Sequence, residues 1–182
     1  MAFKDTILTF EDDKIVTDDD REVMMSWEAP IMEKSAEYIC QSKGDILEIG
    51  FGMGICSDYI QAQGVNSHTI IELHPEIIEK LKIWADDKSN ITIIEGDWNS
   101  VSGLSTYDGI FIDTYVDDNW FNFKDFALAR AKVGAKITYW NNFTDKRNEH
   151  SFDLVSFDDI SITPDDNAYF TSNTYNMPKV EL

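Results

Sequence analysis

Three glycines at alternate positions, Gly50, Gly52 and Gly54, follow a short apolar run that ends at Ile49. Glycine permits a tight turn, and because it has no Cβ, backbone N–H groups can approach a bound ligand closely. A buried strand, this turn and a helix starting at about Ile55 would form a cradle for a nucleotide. The dinucleotide fingerprint places its third glycine one residue later, which disfavours a nicotinamide dehydrogenase. A glycine triplet is also found in ordinary tight turns.

Acidic residues stand at the ends of the next strand-like segments. Glu72 comes 22 positions after Gly50, and an acid about 20 residues beyond a glycine loop is placed to bind ribose hydroxyls. Gly96-Asp97 and Asp113 end the two strands after that. The carboxyl ends of parallel strands meet at one edge of a sheet, so these groups are expected to share a site. The alternative for each acid is a solvated charge in a loop.

The elements that must position these residues are predicted from hydrophobic periodicity. Strands alternating with helices indicate an α/β fold with a doubly wound, mostly parallel sheet. Its strands are predicted near residues 45–50, 67–73, 91–95, 107–113 and 135–140. Helices are predicted from Pro30 to about residue 42, over 55–63, from Pro75, and over 119–131. Strand-like segments 152–157 and 169–171, around a turn at 163–167, predict an antiparallel C-terminal hairpin.

Composition limits the possible partners. The 182 residues suit one domain, with residues 1–42 as an N-terminal segment covering the active site. A net charge of −19 and a pI near 4.2 argue against binding to nucleic-acid phosphates or to anionic membranes. Two cysteines and three dispersed histidines show no metal-ligand spacing. There is no signal-peptide pattern and no apolar run approaching 18 residues, so we expect a soluble, cytoplasmic protein, monomeric or homodimeric.

Four motifs resemble those of a known family in order and in spacing. The motifs are Met24-Met25-Ser26-Trp27-Glu28-Ala29-Pro30-Ile31-Met32, Leu47-Glu48-Ile49-Gly50-Phe51-Gly52-Met53-Gly54, Ile71-Glu72-Leu73-His74-Pro75 and Asp113-Thr114-Tyr115. They resemble the class I S-adenosylmethionine-dependent methyltransferases that include guanidinoacetate N-methyltransferase and the arginine methyltransferase acting on the internal guanidino nitrogen. The resemblance covers about residues 21–142 and is thinner beyond residue 143.

This resemblance implies S-adenosyl-L-methionine as the cofactor and a set of residues that touch it. Glu28 and Asp113 would also form the carboxylate pair that grips a guanidino group, with Asp113 as the general base. The alternative for Glu28 is a local cap or salt bridge. The cofactor contacts implied by matching positions are Met24, Met32, Gly50, Phe51, Gly52, Met53, Gly54, Ile55, Glu72, Leu73, His74, Gly96, Asp97 and Asp113.

A carboxylate pair suits the chemistry of a guanidino group. A guanidinium is a planar fork of donors that carboxylates match bidentately. It is a poor nucleophile while fully charged, so two aligned carboxylates can hold it and remove its proton as the methyl transfers. Two departures from the family leave the substrate open: the loop after the fifth strand is Asn141-Asn142-Phe143, and Val116 stands where close relatives have proline.

Three functional hypotheses follow. The first is methylation of a small guanidino molecule such as guanidinoacetate, favoured because no accessory recognition domain is visible in the sequence. The alternative is methylation of an arginine side chain in a protein, which the acidic surface permits. A non-catalytic module that binds S-adenosylmethionine would keep the glycine loop and Glu72 but would need neither Glu28 nor Asp113.

Overall fold

The computed structural model of the chain describes residues 2–182, so Met1 of the predicted N-terminal segment lies outside the described residues. Within that range the α-helices are α1 (Ala29–Ile39), α2 (Ile55–Ala62), α3 (Pro75–Ala85) and α4 (Phe123–Leu128). The strands are β1 (Leu8–Phe10), β2 (Lys14–Thr17), β3 (Glu22–Met25), β4 (Asp45–Ile49), β5 (Ser67–Glu72), β6 (Ile91–Glu95), β7 (Tyr107–Ile112), β8 (Ala131–Tyr139), β9 (Ser156–Ser161) and β10 (Thr174–Glu181).

A seven-stranded sheet in the order β6-β5-β4-β7-β8-β10-β9 forms the centre of the molecule. The first five strands of that order pair in parallel, while β10 is antiparallel to both β8 and β9. This confirms the predicted α/β fold with a mostly parallel sheet and an antiparallel C-terminal strand pair. Strand order reverses beside β4, and in open α/β sheets ligands bind at such a reversal, at the carboxyl ends of the strands.

The C-terminal hairpin uses different residues from those predicted. Tyr169 and Phe170 are not in a strand, because the side-chain oxygen of Asn167 accepts hydrogen bonds from both of their backbone N–H groups and holds them in a turn. Their rings stack on Trp27 instead. The strand that pairs with β8 is β10, whose Tyr175 is buried in the core. The predicted segments 152–157 and 169–171 are therefore wrong in position, although the antiparallel pairing is present.

The predicted helix over residues 119–131 is also shorter than expected. A 3₁₀ turn, Trp120–Asn122, leads into α4, and β8 begins at Ala131, earlier than the predicted strand. Phe123 and Ala127, four residues apart on one face of α4, are fully buried. The predicted helix is present, but its C-terminal end was predicted at residue 131, whereas α4 ends at Leu128.

The N-terminal residues form a small antiparallel sheet in the order β1-β2-β3, which was not predicted from the sequence. Leu8 and Ile15 pack from this sheet against Phe51 of the glycine loop and Ile77 of α3. The small sheet therefore lies against the same edge of the central sheet that carries the glycine loop. No helix in residues 2–182 is both long and apolar enough to cross a bilayer.

Candidate active site

A cavity of about 750 Å³ opens at the carboxyl ends of the parallel strands, within the range of about 300–1,000 Å³ typical of ligand sites. Residues directly after β4, β5, β6, β7 and β8 all contribute to its wall. Residues of the N-terminal segment also line it, namely Ala2, Phe3, Lys4, Glu22, Val23, Met24 and Glu28. The lining therefore combines the strand ends with distant parts of the chain.

Glycine is required at two positions of the loop after β4. Gly50 has φ +91°, and a Cβ there would lie 1.9 Å from the backbone oxygen of Asp113. Gly52 has φ +53°, and its Cβ would lie 2.5 Å from Sδ of Met24. A side chain at either position would strain the backbone and push the loop away from its neighbours. The tight approach of three chain segments at this edge explains the glycine spacing.

Glu72, at the end of β5, is buried rather than solvated. Its carboxylate accepts hydrogen bonds from the backbone N–H groups of Phe51, Leu73 and His74, each at 2.8 Å. Burial raises the pKa of Glu72, and these three bonds oppose that shift because they favour the charged form. Glu72 therefore stabilises the glycine loop through its bond to Phe51, and it also lines the cavity.

Glu48 is a fully buried acid in the middle of β4 that the sequence reasoning did not single out. Its Oε2 accepts a hydrogen bond from Ser57 Oγ and lies 2.9 Å from Nε2 of His68. Its Oε1 has no hydrogen-bond partner among the described residues, and Glu48 lines the cavity. A charged residue inside an apolar strand was the signal available in the sequence, since buried polar groups are normally paired.

Glu28 lies just before α1, in the 3₁₀ turn Ser26–Glu28, with only 3% of its surface exposed. Its Oε1 accepts hydrogen bonds from the backbone N–H of Met25 and from the hydroxyl of Tyr169, both at 2.7 Å. The bond to Met25 is the local cap that was considered as an alternative. Glu28 also lines the cavity, so the cap and a position at the site occur together.

Asp113 follows β7 and lines the same cavity, partly open to it. Burial, and then the negative charge of Glu48, raise the pKa of Asp113. Burial, and then the charge of Asp113, raise the pKa of Glu28. Two carboxyl groups in one poorly solvated space oppose each other's ionisation. Each carboxyl therefore keeps its proton to a higher pH than a solvated carboxyl does, and a bound cation would favour its release.

Aromatic rings bound the cavity on the side of Glu28. Trp140, directly after β8, and Tyr169 both line it, and their ring centroids are 6.3 Å apart. Trp27 stacks behind Tyr169 at 5.8 Å. Aromatic faces attract organic cations. The charged residues among the lining are eight acids and one lysine, namely Glu22, Glu28, Glu48, Glu72, Asp97, Asp113, Asp117, Asp118 and Lys4.

The structure brings most of the predicted site residues together around this cavity. Four predicted cofactor contacts lie outside its lining. His74 is fully buried and caps α3 through a hydrogen bond from the backbone N–H of Glu76 to its Nδ1. The other three are Met53, Gly54 and Ile55. Those in the lining are Met24, Glu28, Met32, Gly50, Phe51, Gly52, Glu72, Leu73, Gly96, Asp97 and Asp113.

Other lining residues were not predicted, because no local pattern in the sequence marks them. Phe3 reaches the cavity from the N-terminal segment, with its ring 5.0 Å from Tyr115. Tyr169 reaches it from the opposite end of the chain. A single aromatic residue in an irregular segment has no periodic pattern, so no signal short of the tertiary structure identifies it.

Comparison with known sequences gives a consistent result. The profile of the family described as guanidinoacetate N-methyltransferase matches residues 4–163. Protein arginine N-methyltransferase 2 of Aspergillus oryzae is 36% identical over 133 residues, which is 68% of this chain and 32% of that protein. The Saccharomyces cerevisiae protein of the same name is 37% identical over 124 residues, 60% of this chain and 30% of its own length. The chain thus spans about a third of these relatives.

Solved structures with this fold are more distant in sequence. Spermidine synthase from Thermotoga maritima superposes with a TM-score of 0.69 at 14% identity, covering 96% of this chain and 72% of that one. N-methyltransferase NodS from Bradyrhizobium japonicum WM9 gives a TM-score of 0.64 at 15% identity, covering 85% and 96%. These likenesses concern the fold alone. With the profile match over most of its length, the chain belongs to the guanidinoacetate N-methyltransferase family of S-adenosylmethionine-dependent N-methyltransferases.

Proposed function

We propose that this chain transfers a methyl group from S-adenosylmethionine to a guanidino nitrogen, and that the acceptor is an arginine side chain in a basic protein segment. The observation that carries the proposal is the pair Glu28 and Asp113. Both carboxyls line one cavity, both have a raised pKa, and neither takes part in a salt bridge with a described lysine, arginine or histidine. A cationic acceptor would supply the missing charge.

The residues of the cavity fit S-adenosylmethionine as the methyl donor. The glycine loop leaves backbone N–H groups accessible, and Glu72 is placed to accept from ribose hydroxyls. Glu48 also lines the cavity and would supply a carboxylate for a positively charged amino group. When bound, S-adenosylmethionine supplies an electrophilic methyl group on a sulfonium.

The chain's own contribution to catalysis would be orientation and proton removal. Glu28 and Asp113 each accept hydrogen bonds from the flat guanidinium, which fixes its plane. As the nitrogen becomes a nucleophile, Asp113 takes the proton, because its raised pKa brings it closer to the operating pH. Holding nitrogen and methyl in line accounts for most of the rate in transfers of this kind.

The charge of the cavity favours an arginine side chain over guanidinoacetate. Guanidinoacetate carries a carboxylate, and Lys4 is the single cation lining the cavity among the described residues. An arginine within a peptide has no nearby negative charge, and basic neighbours would be attracted to Asp117 and Asp118. The names of the relatives at 36% and 37% identity agree with this choice.

A small guanidino compound is the second candidate. It is favoured by the family profile, which matches residues 4–163. Backbone donors in the loop after β8 could bind the carboxylate of such a compound, although the residues there are Asn141-Asn142-Phe143.

Methyl transfer from labelled S-adenosylmethionine tests the proposal. The acceptors are a basic peptide containing one arginine, the same peptide with lysine in its place, guanidinoacetate and free arginine. We expect methylation of the arginine peptide, with the label on a guanidino nitrogen. Preferential methylation of guanidinoacetate would establish the second candidate. Binding of S-adenosylhomocysteine without methylation of any guanidino acceptor would contradict both and support a non-catalytic binding module.

A further inference from the structure

Tyr169 joins two distant parts of the chain at the cavity wall. It lies in the connection between β9 and β10, where Asn167 holds its backbone in a turn. Its ring stacks on Trp27 with centroids 5.8 Å apart and an interplanar angle of 29°. Its hydroxyl donates to Oε1 of Glu28 at 2.7 Å, across 141 residues of sequence. The side chain is thus held at both its ring and its hydroxyl.

The two oxygens of Glu28 have unequal surroundings. Oε1 accepts from the backbone N–H of Met25 and from Tyr169. Oε2 accepts no hydrogen bond from the described residues, in a side chain that lines the cavity. A carboxylate held through one oxygen by two donors has a fixed plane, so its other oxygen is presented in one direction. The backbone donor alone would fix the oxygen position but leave the carboxylate free to turn.

We propose that Tyr169 is a positioning residue for methyl transfer: its hydroxyl fixes Oε1 of Glu28, so that Oε2 faces the guanidino group of the acceptor. This inference rests on the proposed function. It assigns to the C-terminal connection a part in placing a carboxylate that comes from the N-terminal segment. Tyr169 itself does not take up a proton in this account.

The electrostatics of the pair agree with a donor role for Tyr169. Burial, and then the charge of Glu28, raise the pKa of the Tyr169 hydroxyl, which therefore stays protonated. A donor directed at a carboxylate stabilises the charged form, and this bond lowers the pKa of Glu28 against the opposing effect of burial. Removing the hydroxyl should therefore change both the geometry of Glu28 and its ionisation.

Tyr169→Phe tests the inference because it removes the hydroxyl and keeps the ring on Trp27. We expect kcat to fall roughly 10- to 100-fold, the range for a lost hydrogen bond to a charged group. The dissociation constant for S-adenosylhomocysteine should stay within about twofold, because the glycine loop and Glu72 are untouched. The acid limb of the pH profile of kcat/KM should move to higher pH, because Glu28 ionises less readily.

Tyr38→Phe is the matched control. Its hydroxyl donates a hydrogen bond of 2.8 Å to the backbone oxygen of Val180, on β10 and away from the cavity. Tyr38→Phe should lower the free energy of unfolding about as much as Tyr169→Phe does, but it should leave the pH profile of kcat/KM unchanged. If Tyr169→Phe behaves as Tyr38→Phe does, the role of Tyr169 is structural only and the proposal is wrong.

A second measurement separates this inference from the proposed function. The pKa of Glu28 is measured by carbon NMR of ¹³C-labelled glutamate in the S-adenosylhomocysteine complex, with the signal assigned by its absence in Glu28→Gln. We expect a higher pKa in Tyr169→Phe than in the wild type. An unchanged pKa would overturn the positioning role, whether or not any guanidino compound is methylated. If the pKa of Glu28 rises in Tyr169→Phe but no guanidino acceptor is methylated by the wild type, the proposed function alone is contradicted.

Discussion

Two sets of residues in the cavity wall are built in opposite ways: the glycine loop with Glu72, here called the cofactor end, and Glu28 with Asp113, here called the acceptor end. Glu72 accepts hydrogen bonds from three backbone N–H groups, those of the adjacent Leu73 and His74 and that of Phe51 in the glycine loop. Glu28 and Asp113 come from distant segments of the sequence and have no cationic partner among the described residues. The first set is held by hydrogen bonds within the protein, whereas the second would gain its opposite charge from a bound cation.

This difference indicates a separate role for each set. A buried carboxylate that accepts three backbone hydrogen bonds holds a loop in a fixed geometry, which suits a cofactor site. Two acids with raised pKa values and no cationic partner suit the recognition of a guanidinium, which supplies the opposite charge. The two sets should therefore respond differently to mutation.

The largest effect is expected for turnover when a carboxylate of the acceptor end is neutralised. Glu28→Gln and Asp113→Asn should each lower kcat at least about 100-fold, because orientation and proton removal both suffer. Binding of S-adenosylhomocysteine, measured by titration calorimetry, should change little. Wild-type turnover in both variants would remove these acids from the mechanism.

A smaller effect, on ligand binding instead of turnover, is expected at the cofactor end. Glu72→Ala should weaken S-adenosylhomocysteine binding by about 1–3 kcal/mol, because it removes strong hydrogen bonds from a buried site. Glu79→Ala is the matched control, since Glu79 is exposed on α3 and pairs with Lys82. If the two variants bind equally well, Glu72 does not act at the cofactor end.

The smallest predicted effect is on stability. The pKa of Glu28 is raised in the folded protein, so its contribution to stability is present below the unfolded pKa of about 4.3 and is lost as pH rises. Glu28→Gln keeps an oxygen for Met25 and Tyr169 and removes the charge. It should raise the free energy of unfolding by roughly 1–2 kcal/mol at pH 8.5 and by less at pH 5, measured with urea. An equal gain in the free energy of unfolding at both pH values would show that the charge of Glu28 is not the cause.

The sequence was sufficient to place the glycine loop and Glu72 at one edge of the sheet and to predict most of the sheet. Gly50, Gly52 and Glu72 lie within 23 residues of one another, and the strand and helix periods around them are regular. Short-range pattern therefore determines their placement. The small N-terminal sheet was not predicted, because its short strands show no clear period.

The acceptor end was only partly predictable, because its contacts span the whole chain. Asp113 was singled out because it ends a predicted strand, whereas its pairing with Glu28 came from the resemblance to a family. The position of Tyr169 follows from the turn made by Asn167 and from stacking on Trp27. The turn and the stacking depend on the folded structure. For that reason the sequence predicted a strand at residues 169–171, which is wrong, and did not predict the contact between Tyr169 and Glu28.

Proton release on acceptor binding tests the central claim most directly. The complex with S-adenosylhomocysteine is titrated near pH 7 with the arginine peptide, by calorimetry in buffers of different ionisation enthalpy. Because the raised pKa values leave a proton on the acid pair, binding of a guanidinium should release up to about one proton in the wild type and much less in Asp113→Asn. Tight binding with no proton release in the wild type would contradict the account.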